Sequence, residues 1–164
     1  MADLLDRARD DRAAPGEALA QDAALIVAAA RDMSRRFAGG GRLLAFGSPA
    51  DAAHVAVEFT HPVIVGKRAL PALAVDAALL GAHGREGDIA VAIGRRLDGL
   101  AAARALGMLT VALTDAPTGT LTGADVDADH VLLARTTDPL VARELHVTAY
   151  HLLWELVHVF LDAS

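Results

Sequence analysis

Short apolar runs alternate with amphipathic segments along most of this chain. Continuous hydrophobicity over four to six residues, bounded by glycine and polar turns, is typical of strands buried on both faces of a parallel sheet. Four such runs and one shorter edge strand are predicted: Leu43–Phe46, Pro71–Val75, Ile89–Ile93, Met108–Leu113 and His130–Leu133. Their alternation with helical segments predicts an α/β fold with three layers, in which about five parallel strands carry helices on both faces.

Helical periodicity dominates both ends of the chain. Apolar positions from Leu19 to Phe37 recur every three or four residues and predict a helix that ends at Gly39. A second long helix is predicted from about Pro139 to Leu161. The charged residues before position 17 predict an N-terminal arm or loose helix (1–16), followed by a single domain (17–164).

The C-terminal helix is apolar on two faces. One row contains Leu145, Leu152, Leu156 and Val159, and the other contains Ala149, Leu153, Val157 and Phe160. A helix needs only one apolar face to pack into the core of a small domain. The second apolar row therefore predicts that another surface covers this helix from outside. We therefore expect a homo-oligomer, a dimer or tetramer, that forms through the long N- and C-terminal helices.

Shorter elements fill the remaining sequence. A brief helical or irregular piece is predicted at 77–83, a helix at Leu97–Leu106, a loop at Thr114–Pro117 and an irregular segment or helical turn at Leu121–Asp129.

Composition excludes several classes of protein. The chain has 164 residues, no cysteine and a formal net charge of -6. A negative charge argues against a nucleic-acid partner, and the missing cysteines exclude disulfides and thiolate metal sites. No apolar run approaches the roughly 18 residues that a membrane span requires. The charged N-terminus has no secretory pattern, so we expect a cytoplasmic protein without a membrane partner.

The segment from Arg42 to Phe59 carries the clearest candidate site. Its strand breaks at Gly47, and Ser48 and Pro49 then suit the N-cap and first position of a helix. His54 and Glu58 follow four residues apart, on one face of that helix. This arrangement suits a site at the carboxyl edge of an α/β sheet, although the spacing alone favours an ordinary pair on a solvated helix face.

Four segments in this order carry a resemblance to a known family. AAHVAVEFTH, GREGDIAVAI, AARALGMLTVALTD and RELHVTAYHLLWELV together resemble the sugar isomerase (SIS) domain. More closely, they resemble its phosphoheptose isomerase branch, enzymes that convert sedoheptulose 7-phosphate into a heptose 7-phosphate. The similarity covers roughly residues 17–161.

The resemblance implies a set of site residues. The family uses a His and a Glu on the first helix and a Gln and a His on the last, often around zinc. By position these fall on His54, Glu58, Arg143 and His151. Glu58 and His151 would form the acid–base pair that an aldose–ketose isomerase needs.

Arg143 is a departure, because it stands where the family has Gln. His54, Glu58 and His151 could still hold zinc with an open fourth position. A guanidinium cannot ligate a metal and repels a cation. If Arg143 reached Glu58, the ion pair would occupy the space of the metal, so a weak or empty zinc site is the favoured expectation.

The implied phosphate loops also depart from the family pattern, in which Gly-, Ser- and Thr-rich turns hold the sugar phosphate. Here the first turn is Gly47-Ser48-Pro49-Ala50-Asp51, where proline lacks an N–H group and Asp51 adds negative charge. The second turn, residues 94–99, has no hydroxyl. Its Arg95 and Arg96 could hold an anion instead, or be ordinary solvated charges. Asp115, after the fourth strand, completes the candidate substrate contacts with Gly47, Ser48 and Arg143.

Three hypotheses follow. The leading one is an SIS-type protein with impaired sugar-phosphate isomerase activity that acts in binding, regulation or assembly. The alternative is an active isomerase in which Arg95 and Arg96 hold a phosphorylated sugar beside Glu58 and His151. The third is a structural partner of another protein, which a monomer with an exposed C-terminal helix would favour. His146 and His158 are interpreted as packing or interface residues.

Overall fold

The computed structural model describes residues 2–62, 66–115 and 125–163. Five parallel strands form one sheet in the order β2-β1-β3-β4-β5. The strands are β1 (Leu43–Gly47), β2 (Ala72–Ala74), β3 (Ile89–Ile93), β4 (Leu109–Asp115) and β5 (His130–Ala134). This sheet confirms the predicted α/β fold, with β3 in the centre and β5 at an edge.

Six α-helices accompany the sheet within the described ranges. They are α1 (Ala2–Gln21), α2 (Ala23–Ala38), α3 (Pro49–Thr60), α4 (Leu80–His83), α5 (Leu100–Ala105) and α6 (Pro139–Asp162), with a 3-10 turn at Ala77–Leu79. The N-terminal segment is helical, and α1 continues through Pro15 and past the predicted division at residue 16. That division into an arm and a domain stays a prediction.

Alternate strand residues face two separate cores. On one side Leu43, Ala45 and their equivalents in β3 and β4 pack against α2, α3 and α6. On the other side Leu44, Phe46 and the equivalent residues of β3 and β4 pack against α4 and α5. The period-two alternation of a strand therefore produces the predicted three layers. It also places α3 and α6 on the same face, where they contact each other.

Several element bounds differ from the sequence prediction, and the helix predicted across Leu19–Phe37 is divided between α1 and α2 at Asp22. Helix α5 begins at Leu100 instead of Leu97, because Gly99 lies flush against Phe46 and Leu80 and the backbone before it makes the turn. Strand β4 continues through Asp115, which was predicted to lie in a loop, because Thr114 and Asp115 pair with β5. The rest of that loop, and residues 121–124, lie outside the described residues.

The row of α6 that contains Leu145, Leu152, Leu156 and Val159 is partly accessible. Leu152 and Val159 are 37% and 55% exposed, while Leu153 and Val157 are buried in the core. This surface is available for the predicted oligomer contact, and the oligomeric state stays a prediction. Among the described helices, none is long and apolar enough to cross a membrane.

Candidate functional site

Helix α3 leaves the carboxyl edge of the sheet at a tight backbone junction. Gly47, the last residue of β1, has a φ of +103°, which glycine adopts without strain. A Cβ atom there would lie 2.4 Å from the carbonyl oxygen of Ile93 in β3. Ser48 is the extended N-cap residue and Pro49 the first helical residue, as predicted. His54 therefore lies about 8 Å along the helix from this edge.

Helices α3 and α6 bring together three side chains that could hold a metal. His54 Nε2 lies 3.1 Å from Glu58 Oε1, and His151 Nε2 lies 3.7 Å from the same oxygen. One donor atom from each side chain lies within 4.8 Å of the other two. The spacing of His54 and Glu58 along α3 predicts two of these three residues, and His151, which the family resemblance implies, is added by the packing of α6.

The cluster suits zinc in its donor set. Two imidazoles and one carboxylate are ligands that catalytic zinc sites use, with a fourth position left for water or substrate. Glu58 is mostly buried, whereas the two histidine side chains are 41% and 44% exposed, so the cluster is open to solvent on one side. His54, Glu58 and His151 would hold the ion.

Arg143 pairs with Asp51 and not with Glu58, the partner that would have placed its guanidinium in the metal position. Its Nε donates a hydrogen bond to Oδ1 of Asp51 at 3.0 Å. Asp51 is buried in the first turn of α3, one turn before His54. The guanidinium is therefore held toward the edge of the sheet by Asp51, and the main physical objection to a metal beside Glu58 is removed.

Tyr150 belongs to this site, although the sequence analysis did not identify it. Its hydroxyl lies 2.6 Å from Nδ1 of His54, and its ring packs edge-on against His54 and His151. Burial, together with the nearby Asp51 carboxylate, raises the pKa of Tyr150 to about 12. A neutral hydroxyl donates to or accepts from Nδ1, so Tyr150 fixes the orientation of the His54 ring in either tautomer. Its position directly before His151 in the motif was the available signal.

The raised pKa of Tyr150 predicts an unusual alkaline titration. Tyr150 is the only tyrosine in the chain, so tyrosinate absorbance reports this residue alone. We expect the folded protein to titrate near pH 12 and the urea-unfolded chain near the ordinary value of 10.0. Because the folded-state pKa is the higher one, the neutral hydroxyl stabilises the fold fully below pH 10, and this stabilisation is lost as the pH rises toward 12. Titration of the folded protein near pH 10 would contradict the buried contact with His54.

The carboxyl edge of the sheet holds a second arginine–carboxylate pair. Arg95, after β3, contacts Oδ2 of the buried Asp115 through Nε at 2.8 Å and Nη2 at 2.7 Å. Ser48 donates its hydroxyl proton to Oδ2 of Asp51 at 2.6 Å and does not cap the helix backbone. The candidate substrate contacts Ser48, Arg95 and Arg143 therefore each contact one of two buried carboxylates, Asp51 and Asp115. Asp115 is itself a candidate substrate contact.

Several concave spaces flank this edge. A cavity of about 180 Å³ is lined by Ser48, Asp51, Arg95, Asp115, Arg143 and His146, among others, and is called the edge cavity below. Gly47 and Arg96 instead line a neighbouring cavity of about 330 Å³ beside Asp76 and Asp98. The structure therefore separates Arg96 from Arg95, and both lie apart from the cluster of His54, Glu58 and His151.

Two further histidines are buried, as their interpretation as packing residues predicts. The ring nitrogens of His158 lie within hydrogen-bond distance of the backbone carbonyls of Trp154 and Arg68. His146 differs, because its Nε2 atom has no hydrogen-bond partner in the part of the chain that the structure describes. Burial lowers the pKa of His146, although a hydrogen bond to the Thr114 backbone and the nearby Asp115 and Asp51 oppose the change.

No protein-family model matches the chain. Two curated proteins named phosphoheptose isomerase are related to it in sequence. That of Desulfovibrio desulfuricans is 34% identical over 172 residues, which span 87% of this chain and 80% of the relative. That of Chlorobium limicola is 31% identical over 174 residues, which span 88% and 80%.

Solved structures have the same fold. A phosphoheptose isomerase from Francisella tularensis superposes with a TM-score of 0.83 at 20% identity, over 96% of this chain and 98% of the other. One from Neisseria gonorrhoeae gives a TM-score of 0.80 at 22% identity, over 95% and 97%. At these identities the structural likeness supports the shared fold alone.

Proposed function

This chain belongs to the phosphoheptose isomerase family of SIS-domain proteins, and we propose that it is a divergent sugar-binding member with impaired activity on phosphorylated heptoses. One observation carries the proposal. At the edge where the family resemblance places the sugar phosphate, two buried carboxylates, Asp51 and Asp115, already engage the arginines that could hold an anion.

Charge is the physical reason for the expected impairment. A phosphate group placed at the first turn of α3 would lie against the Asp51 carboxylate, and like charges in close contact cost several kcal/mol. Pro49 contributes no N–H group to the same turn. The positive charges of Arg143 and Arg95 balance the negative charges of Asp51 and Asp115 and leave no net positive charge for a phosphate.

The cluster of His54, Glu58 and His151 supports retention of a ligand site. A bound zinc ion would supply a Lewis acid that polarises an oxygen of the sugar. Glu58 and His151 can accept and deliver protons from two different helices, and Tyr150 holds His54 in place. This apparatus suits binding of a polyhydroxylated molecule whether or not turnover follows.

An active sugar-phosphate isomerase is the second candidate function. The observation that favours it is the intact cluster together with the accessibility of Arg95, whose side chain is 54% exposed beside Asp115. In that case the outer N–H groups of Arg95 would hold the phosphate. Glu58 would move the proton between the adjacent carbons and His151 would protonate the oxygen. Arg95→Ala would then raise KM strongly.

Turnover of sedoheptulose 7-phosphate separates the two functions. We expect kcat/KM of the purified, zinc-supplemented protein to lie about 100-fold or more below that of the Desulfovibrio desulfuricans relative measured in parallel, which corresponds to about 2.7 kcal/mol of lost transition-state stabilisation. Turnover at the level of the relative, lost in Glu58→Gln, would overturn the proposal and establish the second function.

A further inference from the structure

The edge cavity has a composition that points to an uncharged ligand. Its polar lining contains two carboxylates, Asp51 and Asp115, and two guanidinium groups, Arg143 and Arg95. Each carboxylate is paired with one arginine, at 3.0 Å and at 2.7–2.8 Å respectively. The formal charges of these four groups cancel. A phosphate dianion would therefore enter a site with no net positive charge and would lie close to two carboxylates of the same sign.

His146 adds an independent requirement for a hydrogen-bond partner. The residue lines the edge cavity and is 5% exposed, and its Nε2 has no partner among the described residues. Burial lowers the pKa of His146, so the imidazole is neutral near pH 7 and its Nε2 is either an acceptor or an N–H donor, according to the tautomer. In either tautomer, a buried polar atom without a partner costs about 1–3 kcal/mol.

Hydroxyl groups meet both requirements in either tautomer of His146. A hydroxyl donates to a carboxylate or to an imidazole lone pair and accepts from a guanidinium or an imidazole N–H, so it matches every polar group in the cavity. A phosphate dianion has only acceptors, so it cannot donate to the two carboxylates, and it pairs with Nε2 of His146 only where that atom carries the proton. The cavity volume, about 180 Å³, is also well above the roughly 10–15 Å³ that a single water needs.

We propose that the edge cavity binds hydroxyl groups of an uncharged sugar or polyol, so that the ligand of this protein is unphosphorylated. The inference rests on the proposed function and narrows it, because it assigns the ligand class at the same sheet edge. Asp51 and Asp115 accept hydrogen bonds from the ligand, Arg95 and Arg143 donate to it, and Nε2 of His146 pairs with one of its hydroxyl groups.

Calorimetric titration with sedoheptulose and with sedoheptulose 7-phosphate tests the ligand class. We expect the free sugar to bind at least as tightly as the phosphorylated one, and inorganic phosphate not to compete with it. Affinity for the 7-phosphate about tenfold or more above that for the free sugar would overturn the inference. Failure of both sugars to bind would overturn it as well.

Substitutions in the cavity supply a sharper comparison. Asp115→Asn frees Arg95 and leaves one positive charge in excess, so the affinity ratio should shift toward the 7-phosphate by about tenfold. Asp98→Asn makes the same change in charge at an exposed position of the same edge without releasing an arginine, and should leave the ratio unchanged. An equal shift in both variants would attribute the effect to net charge and overturn the role of the pair.

A third substitution addresses the buried imidazole of His146. His146→Leu removes Nε2 and should weaken sedoheptulose binding by about tenfold, with the melting temperature showing that the variant folds. Unchanged affinity in a folded His146→Leu would overturn the role of His146. Poor turnover of the 7-phosphate together with tight binding of it would preserve the proposed function and refute this inference, so the two can fail separately.

Discussion

Replacing Glu58 with glutamine should lower the affinity for Zn²⁺ by about 100-fold or more. Glu58 is the only anionic donor in the cluster, and its Oε1 lies within 3.7 Å of a nitrogen of each histidine. Loss of an outer hydrogen bond to a metal ligand alone costs about 10–100-fold in affinity, so loss of the carboxylate ligand should cost at least as much. Competition with a chelating dye measures the affinity directly.

Thermal or urea unfolding provides a second measurement of the same change. At a zinc concentration 100 times the wild-type dissociation constant, the folded protein gains about 2.7 kcal/mol. A variant with a 100-fold weaker site gains only about 0.4 kcal/mol under the same conditions.

The matched control for this substitution is Glu155→Gln. Glu155 lies on the same helix as His151, is exposed and undergoes the same chemical change. It should bind zinc like the wild type. Equal zinc affinity in the two variants would show that the metal is not held by His54, Glu58 and His151.

Replacing Gly47 with alanine should destabilise the fold by about 3 kcal/mol or more. The residue would keep a φ of +103° that L-residues rarely adopt, which costs roughly 1–3 kcal/mol. Its Cβ would also lie 2.4 Å from the Ile93 carbonyl oxygen, a backbone atom that cannot rotate away. Displacing that strand adds an overpacking cost of roughly 1–3 kcal/mol. Urea unfolding at neutral pH measures the sum.

Gly40 offers a matched comparison for Gly47. It also has a positive φ, +86°, but a Cβ there would meet no atom within 4 Å. Gly40→Ala should therefore lose only the conformational part, about 1 kcal/mol. The difference between the two losses of unfolding free energy measures the cost of the close approach of β1 and β3 at Gly47. Similar losses in both would show that this approach relaxes freely.

Local sequence patterns predicted most of the fold because they act over short distances. Buried strands appear as continuous apolar runs, and the β1–α3 junction follows from glycine, an N-cap serine and a proline in order. The pattern could not predict the last residues of β4, since Thr114 and Asp115 are ordered by pairing with β5 and not by their neighbours.

The candidate site could be predicted only in part for the same reason. His54 and Glu58 are neighbours on one helix, so their contact follows from a spacing of four. The partner of Arg143 depends on how α6 crosses α3. A displacement of a few ångströms decides whether the guanidinium reaches Asp51 or Glu58. Tyr150 and His146 take their roles from burial against other elements, which the sequence does not reveal residue by residue.

The placement of α3 and α6 has a consequence for biosynthesis. Glu58 lies on α3 and His151 on α6, and four of the five strands are synthesised between these two helices. A nascent chain that has been synthesised only as far as α3 carries two of the three donors and no Tyr150 to orient His54. Any metal held by this cluster therefore acquires its full set of protein ligands only after α6 has docked.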